Sequence, residues 1–137
     1  MEKKKKKSYF TLMEMVIVIA IIALLAAIVT PMYFKHVKQA RVTTTRTQIS
    51  MFGQCIMDYQ LDTGTYPQSL QDLVTNGSDN KKWNGPYLNA KTIPLDPWGN
   101  KYVYTVPGQH GAYDIYSYGP GGPSGNKSKL IGNWQKN

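Results

Sequence analysis

Phe10-Thr11-Leu12-Met13-Glu14-Met15-Val16-Ile17-Val18-Ile19-Ala20-Ile21-Ile22-Ala23-Leu24-Leu25-Ala26-Ala27-Ile28-Val29 is the stretch that decides the fold. From Met15 to Val29 it holds no polar side chain, and only Thr11 and Glu14 interrupt the part before that. A helix of about 20 residues rises about 30 Å, the thickness of the hydrocarbon core of a bilayer. Lys3 to Lys7 stand just before it. By the positive-inside rule they place the N-terminus in the cytoplasm and everything after the helix on the other side. A cleaved secretory signal also begins basic and then apolar, but its apolar core lasts about 7–15 residues and ends at a small-residue cut. Ala23-Leu24-Leu25-Ala26-Ala27 imitates such a cut, yet the apolar pattern runs past it. The expectation is a retained span over residues 10–30, behind a basic leader at 1–9.

Working outward, Glu14 is the unusual residue. A carboxylate inside an apolar helix costs about 2.5–3.5 kcal/mol at the membrane centre and calls for a partner. Near the end of the stretch it reaches the headgroups by snorkelling, or it pairs with a cation from another chain. Pro31 removes a backbone donor and crowds the preceding turn, which predicts a kink or local loosening. After it the pattern turns amphipathic. Val37, Ala40, Thr44, Ile49, Phe52, Cys55, Ile56 and Tyr59 approximate one apolar face, with Lys35, Lys38, Arg41 and Arg46 largely on the other. The reading is one long helix from about Phe10 to Leu61, apolar all round at first and one-sided over residues 31–62.

Residues 63–137 read as a small, turn-rich head. Gln68 to Val74 carries Leu70, Leu73 and Val74 at helical spacing. Lys101–Val106 and Tyr113–Tyr118 alternate in period two, and Pro107-Gly108-Gln109-His110-Gly111 supplies the turn of a hairpin between them. A lone hairpin is marginal in water, so it must pack on the amphipathic half of the helix. The fold class is α+β, a long N-terminal helix with a small antiparallel sheet.

The chain has 137 residues, with sixteen Lys and Arg against eight Asp and Glu, a formal charge of +8. Residues 1–9 hold five of those lysines and Glu2, which leaves eleven basic and seven acidic residues beyond them. A surplus of four, with two arginines and no basic stripe, is a poor basis for nucleic-acid binding. Cys55 is the sole cysteine, which excludes an internal disulfide and a cysteine-based zinc site. On the apolar face it reads as a small core hydrophobe. His36 reads as a solvated side chain.

Phe10-Thr11-Leu12-Met13-Glu14 behind a short lysine leader resembles the class III signal of type IV pilins and pseudopilins. The resemblance implies that a prepilin peptidase cuts before Phe10 and that the new amine is methylated. Glu14 and Pro31 fall where the family has its glutamate and proline. The family carries Gly just before the cut, whereas this chain has Tyr9 preceded by Ser8. The peptidase accepts Tyr9, or cuts after Ser8, or processing is impaired. Three strings in the head are similar to the major pseudopilins of type II secretion systems: Trp83-Asn84-Gly85-Pro86-Tyr87-Leu88, Ile93-Pro94-Leu95-Asp96-Pro97-Trp98-Gly99-Asn100-Lys101-Tyr102 and Pro107–Gly111. Asp114–Ser117 and Ile131-Gly132-Asn133-Trp134 extend the likeness to nearly the whole chain. Physically, Asp96–Asn100 is a turn in which Pro97 fixes φ, Gly99 permits a positive φ and Trp98 covers the core.

What the resemblance implies is a structural subunit. It is a homopolymer of itself with minor pseudopilins at hand, inserted in the bilayer before assembly, acted on by the peptidase and by an inner-membrane secretion platform. Glu14 would neutralise the Phe10 amine of the adjacent subunit. The alternative within the superfamily is a type IV or competence pilin that binds a surface or DNA. The residue inventory argues against an enzyme, since Asp96, His110, Asp114 and Ser117 have no evident relay geometry. In the family, clustered aspartates before the Ile-Gly-Asn-Trp end hold Ca²⁺. Here that loop, residues 119–130, contains no Asp or Glu and carries Lys127 and Lys129. Six to eight oxygens, several of them carboxylate, are the usual calcium set, so no metal is expected here.

Overall fold

The long helix α1 (Leu12–Thr63) begins at a reciprocal cap. The Glu14 amide donates to Thr11 Oγ1 at 3.2 Å, and the Thr11 amide donates to Glu14 Oε2 at 3.4 Å. Two N-terminal donors that a helix leaves unpaired are thus satisfied by the chain's own side chains. The computed structural model describes residues 7–135, so positions 1–6 of the proposed leader lie outside the described residues. Helical structure runs through Pro31 without interruption. Pro31 has no N–H to offer the carbonyl of Ala27, and one residue earlier the Thr30 hydroxyl donates to the Ala26 carbonyl at 2.6 Å. At the other end the Gly64 amide donates to the Gln60 carbonyl at 2.8 Å, closing the last turn.

The chain divides into two compact units, Met1–Gln39 and Ala40–Asn137. In the first, every described residue up to His36 is exposed, including Ile19, Leu24 and Ile28. Among the described residues, α1 is the one helix long and apolar enough to cross a membrane. In the second unit α1 is one-sided. It buries Thr45, Ile49, Phe52, Cys55, Ile56, Tyr59 and Thr63, a run of i, i+4, i+7 spacing. The expected face is corrected at its start: Thr45 is buried, whereas Thr44 and Ala40 are exposed. Counting back from Ile49 by one turn reaches residue 45, and the Thr45 hydroxyl is satisfied at depth by the Arg41 carbonyl at 2.9 Å.

Onto this face fold the 3₁₀ turn Leu70–Leu73, which replaces the longer helix expected from Gln68, and a three-stranded antiparallel sheet. Asp72 fixes where the turn begins by taking the Gln68 and Ser69 amides on its own carboxylate, both at 3.0 Å, an N-terminal cap that leaves Gln68 and Ser69 outside it. The strands are β1 (Val103–Thr105), β2 (Asp114–Ser117) and β3 (Ile131–Gly132), in that order across the sheet. Tyr104 pairs with Ile115, and Ser117 with Ile131. Both expected strands are present but shorter than their alternating patterns. The strand β3 was outside the sequence expectation, because two residues carry no periodicity. As the central strand, β2 buries Asp114, Ile115 and Ser117 together, so its pattern is not simple alternation. The core joins Phe52 and Ile56 of α1, both fully buried, to Leu73, Leu88, Tyr102, Ile115 and Ile131.

Candidate functional site

Two sets of residues were singled out, and the fold places them in different units. In the first unit Phe10, Tyr9, Glu14 and Pro31 are all exposed. Glu14 sits in the first turn of α1 and, among the described residues, is engaged with Thr11. The Thr-Leu-Met-Glu spacing is a capping signature that can be read directly from sequence. Glu14 is exposed there, in the first turn of α1.

In the second unit the head strings act as bolts. Trp83-Asn84-Gly85-Pro86-Tyr87-Leu88 crosses from the 3₁₀ turn to the end of α1. The Trp83 indole N–H donates to the Asp72 carbonyl at 2.8 Å, and the Tyr87 and Leu88 amides both donate to the Leu73 carbonyl. The Tyr87 hydroxyl donates to Asp62 Oδ2 at 2.9 Å, while its ring meets those of Tyr59 and Trp83 edge-on. The Cys55 thiol donates to the Tyr87 carbonyl at 3.1 Å, and burial pushes its pKa up, which keeps it an inert core residue. Gly85 passes so close to the Trp83 ring that a Cβ there would lie 2.5 Å from it. Pro86 follows it through a cis bond.

Asp96-Pro97-Trp98-Gly99-Asn100 is the expected turn, and Gly99 adopts φ +84°. Asp96 Oδ1 accepts the Trp98 and Asn100 amides at 3.1 and 2.8 Å. Trp98 is half-buried against the core. The tertiary link the sequence did not disclose is the second oxygen: Ser117 of β2 donates to Asp96 Oδ2 at 2.6 Å, and the Gly119 amide donates to Ser117 Oγ at 3.0 Å. Beside it the Tyr102 hydroxyl donates to Gln48 of α1. Burial, with a contribution from the Asp96 charge, pushes that phenol up to about 12.

The four residues considered as a relay separate into two pairs. His110 Nδ1 lies 2.9 Å from Asp114 Oδ2, and Ser117 belongs to Asp96. Burial raises Asp114, but the hydrogen bonds from the His110 ring and the Gln109 and His110 amides outweigh it and hold its carboxyl below the usual range. Every one of these bonds ties a loop to β2. Trp134, named only as part of a string, stacks flat on His110 with ring centroids 4.1 Å apart.

This arrangement is an exposed apolar helix start joined in one chain to a small head held by side-chain-to-backbone bonds. It matches known proteins. Residues 32–134 match the family described as type II secretion system (T2SS), protein G. A type II secretion system core protein G of Pseudomonas aeruginosa is 39% identical over 96% of this chain and 97% of its own. The Escherichia coli K12 protein of the same description is 37% identical over 94% and 92%. The crystal structure of the major pseudopilin from the type 2 secretion system of enterohaemorrhagic Escherichia coli superposes with a TM-score of 0.61 at 30% identity. It covers 73% of this chain and 87% of its own. The chain therefore belongs to the type II secretion system protein G family, and its fold is that of a major pseudopilin.

Proposed function

We propose that this chain is the repeating subunit of a type II secretion pseudopilus, working by polymerisation and not by catalysis. The observation that carries the reading is that residues 7–36 are exposed although nearly every helical position among them is apolar. Burying one Leu, Ile or Val side chain is worth about 1.5–3 kcal/mol, so such a helix demands lipid or copies of itself. As a precursor it spans the inner membrane once, N-terminus cytoplasmic and head periplasmic. A prepilin peptidase then frees Phe10. The inner-membrane platform and the minor pseudopilins complete the partners, and no nucleic acid is among them. Moving from lipid into a helix bundle gains little hydrophobic energy, because lipid tails are as apolar as Leu. Packing and the Glu14 charge therefore decide whether subunits join. Glu14 exchanges its internal Thr11 contact for the Phe10 amine of its neighbour.

The test is Glu14→Leu in the full chain, read as filament yield against abundance in the membrane fraction. Removing a carboxylate that opposes insertion by up to about 3 kcal/mol leaves membrane abundance equal or higher. Filaments are expected to be absent. Normal filament yield would sink the pairing.

A further inference from the structure

The resemblance to pseudopilins implies a calcium site in the loop of residues 119–130, and the donors around that loop do not fit the ion. The loop itself has no carboxylate and carries Lys127 and Lys129. A cavity of about 290 Å³ lies beneath it, lined by His110, Asp114, Tyr118, Lys127, Leu130 and Trp134 among others. Asp114 is the carboxylate there, and both its oxygens are taken: Oδ1 by the His110 amide, Oδ2 by the Gln109 amide and the His110 ring. Asp96, which anchors the start of the loop through Ser117, is equally committed. Among the described residues no buried side-chain oxygen or nitrogen lacks a partner. A divalent ion entering here would lose hydration, meet the Lys127 ammonium and find one carboxylate, Asp114, with both oxygens already hydrogen-bonded.

The segment after the loop is nevertheless firmly held. Asn133 continues the ladder of β3: its amide donates to the Ile115 carbonyl at 3.0 Å, and its side-chain Oδ1 accepts the Ile115 amide at 3.0 Å. Its Nδ2 donates to the Tyr113 carbonyl at 3.2 Å. Gln135 Nε2 donates to the Leu130 carbonyl at 2.9 Å, pinning the loop's end. Trp134 lies flat on His110 and edge-on to Tyr116, and His110 is fixed in turn by Asp114. These contacts close the segment after the loop onto β2 with side chains and backbone alone.

We infer that the head of this chain fastens its C-terminal segment with a metal-free clasp, Asn133 on β2 and Trp134 on His110, and keeps its shape without calcium. The inference concerns the head alone and goes beyond the polymerisation reading, because it stands or falls whether or not filaments form.

The test uses the full chain in detergent micelles, melted in millimolar calcium and again in chelator, alongside Asn133→Ala and Trp134→Leu. The wild-type curves are expected to coincide. A difference of about 4 °C or more, reversed by adding calcium back, overturns the inference, since a ligand that binds the folded state must raise its melting temperature. Asn133→Ala is expected to melt about 4 °C or more below wild type, equally with and without calcium. If it does not fold, Trp134→Leu, which spares the β2 ladder, gives the same reading. A clasp variant with unchanged melting and unchanged proteolysis of its C-terminal residues overturns the clasp.

Discussion

Up to Gln39, α1 exposes Leu12, Ile19, Leu24 and Ile28, whereas from Ala40 onward it buries Thr45, Ile49, Phe52, Ile56 and Tyr59. The backbone is one continuous helix in both stretches. The first is apolar on every side from Met15 to Val29; the second is apolar on one side and offers Arg41, Arg46, Asp58 and Asp62 on the rest. What separates them is the pattern of side chains and hence the solvent each can satisfy. Helical structure tells a protein nothing about its surroundings; periodicity does.

If the two units are energetically separate, damage to the head must leave the span intact. Phe52→Ala is the harshest case, because Phe52 is fully buried and packs edge-on against Tyr102 at 5.2 Å between centroids. A cavity of this kind costs about 3–5 kcal/mol. That is a large fraction of the about 5–15 kcal/mol of a typical domain, so the head should unfold at far lower denaturant. In vitro membrane insertion of the same variant is expected to match wild type. Failure to insert would break the separation.

A milder change sharpens it. At Gly99, with φ +84°, an added Cβ would touch nothing within 4 Å, so the only penalty is the left-handed backbone. Gly99→Ala should lower head stability by about 1–2 kcal/mol, read from the shift in urea midpoint at unchanged slope. No shift would mean that the Asp96 turn contributes less than its hydrogen bonds suggest.

The smallest effect is a pH limb confined to the head. Burial, aided by the Asp96 charge, pushes Tyr102 up to about 12, and an unfolded tyrosine titrates near 10. A phenol whose folded pKa is raised stabilises the protein fully below the unfolded value. That stabilisation is lost as the pH rises from about 10 through about 12. The melting temperature of the head should therefore fall over this window, and Tyr102→Phe should flatten the fall. An equally steep limb in Tyr102→Phe would assign it to other groups, with half-buried Tyr104, also raised, the next to test.

Much of this was legible before any coordinates. Phe10–Val29 announces a span by length and polarity alone, whereas the Thr11–Glu14 cap, though local, is not part of the sequence reading of Glu14. Asp96–Asn100 announces a turn because Pro, Gly and Asx residues act on their own backbone within four positions. The alternating runs near Tyr104 and Tyr116 mark strands for the same local reason. The misreadings were local too. The sequence reading places Thr44 on the apolar face, and the structure buries Thr45, its neighbour by one residue's rotation. The two residues of β3 are too few to carry a pattern.

Composition and spacing by themselves determined the membrane-length helix, its one-sided second half, the α+β class and the absence of carboxylates in the loop at 119–130. Each of these is a property of residues near one another in the chain. Only the tertiary structure decided that Ser117 reaches Asp96, that Asn133 extends the β3 ladder onto Ile115 of β2 and that Trp134 lies on His110. Those partners stand 21, 18 and 24 positions apart. Which donor meets which acceptor across such distances depends on how the intervening loops close, and loop closure is settled by packing of the whole head, not by any local preference.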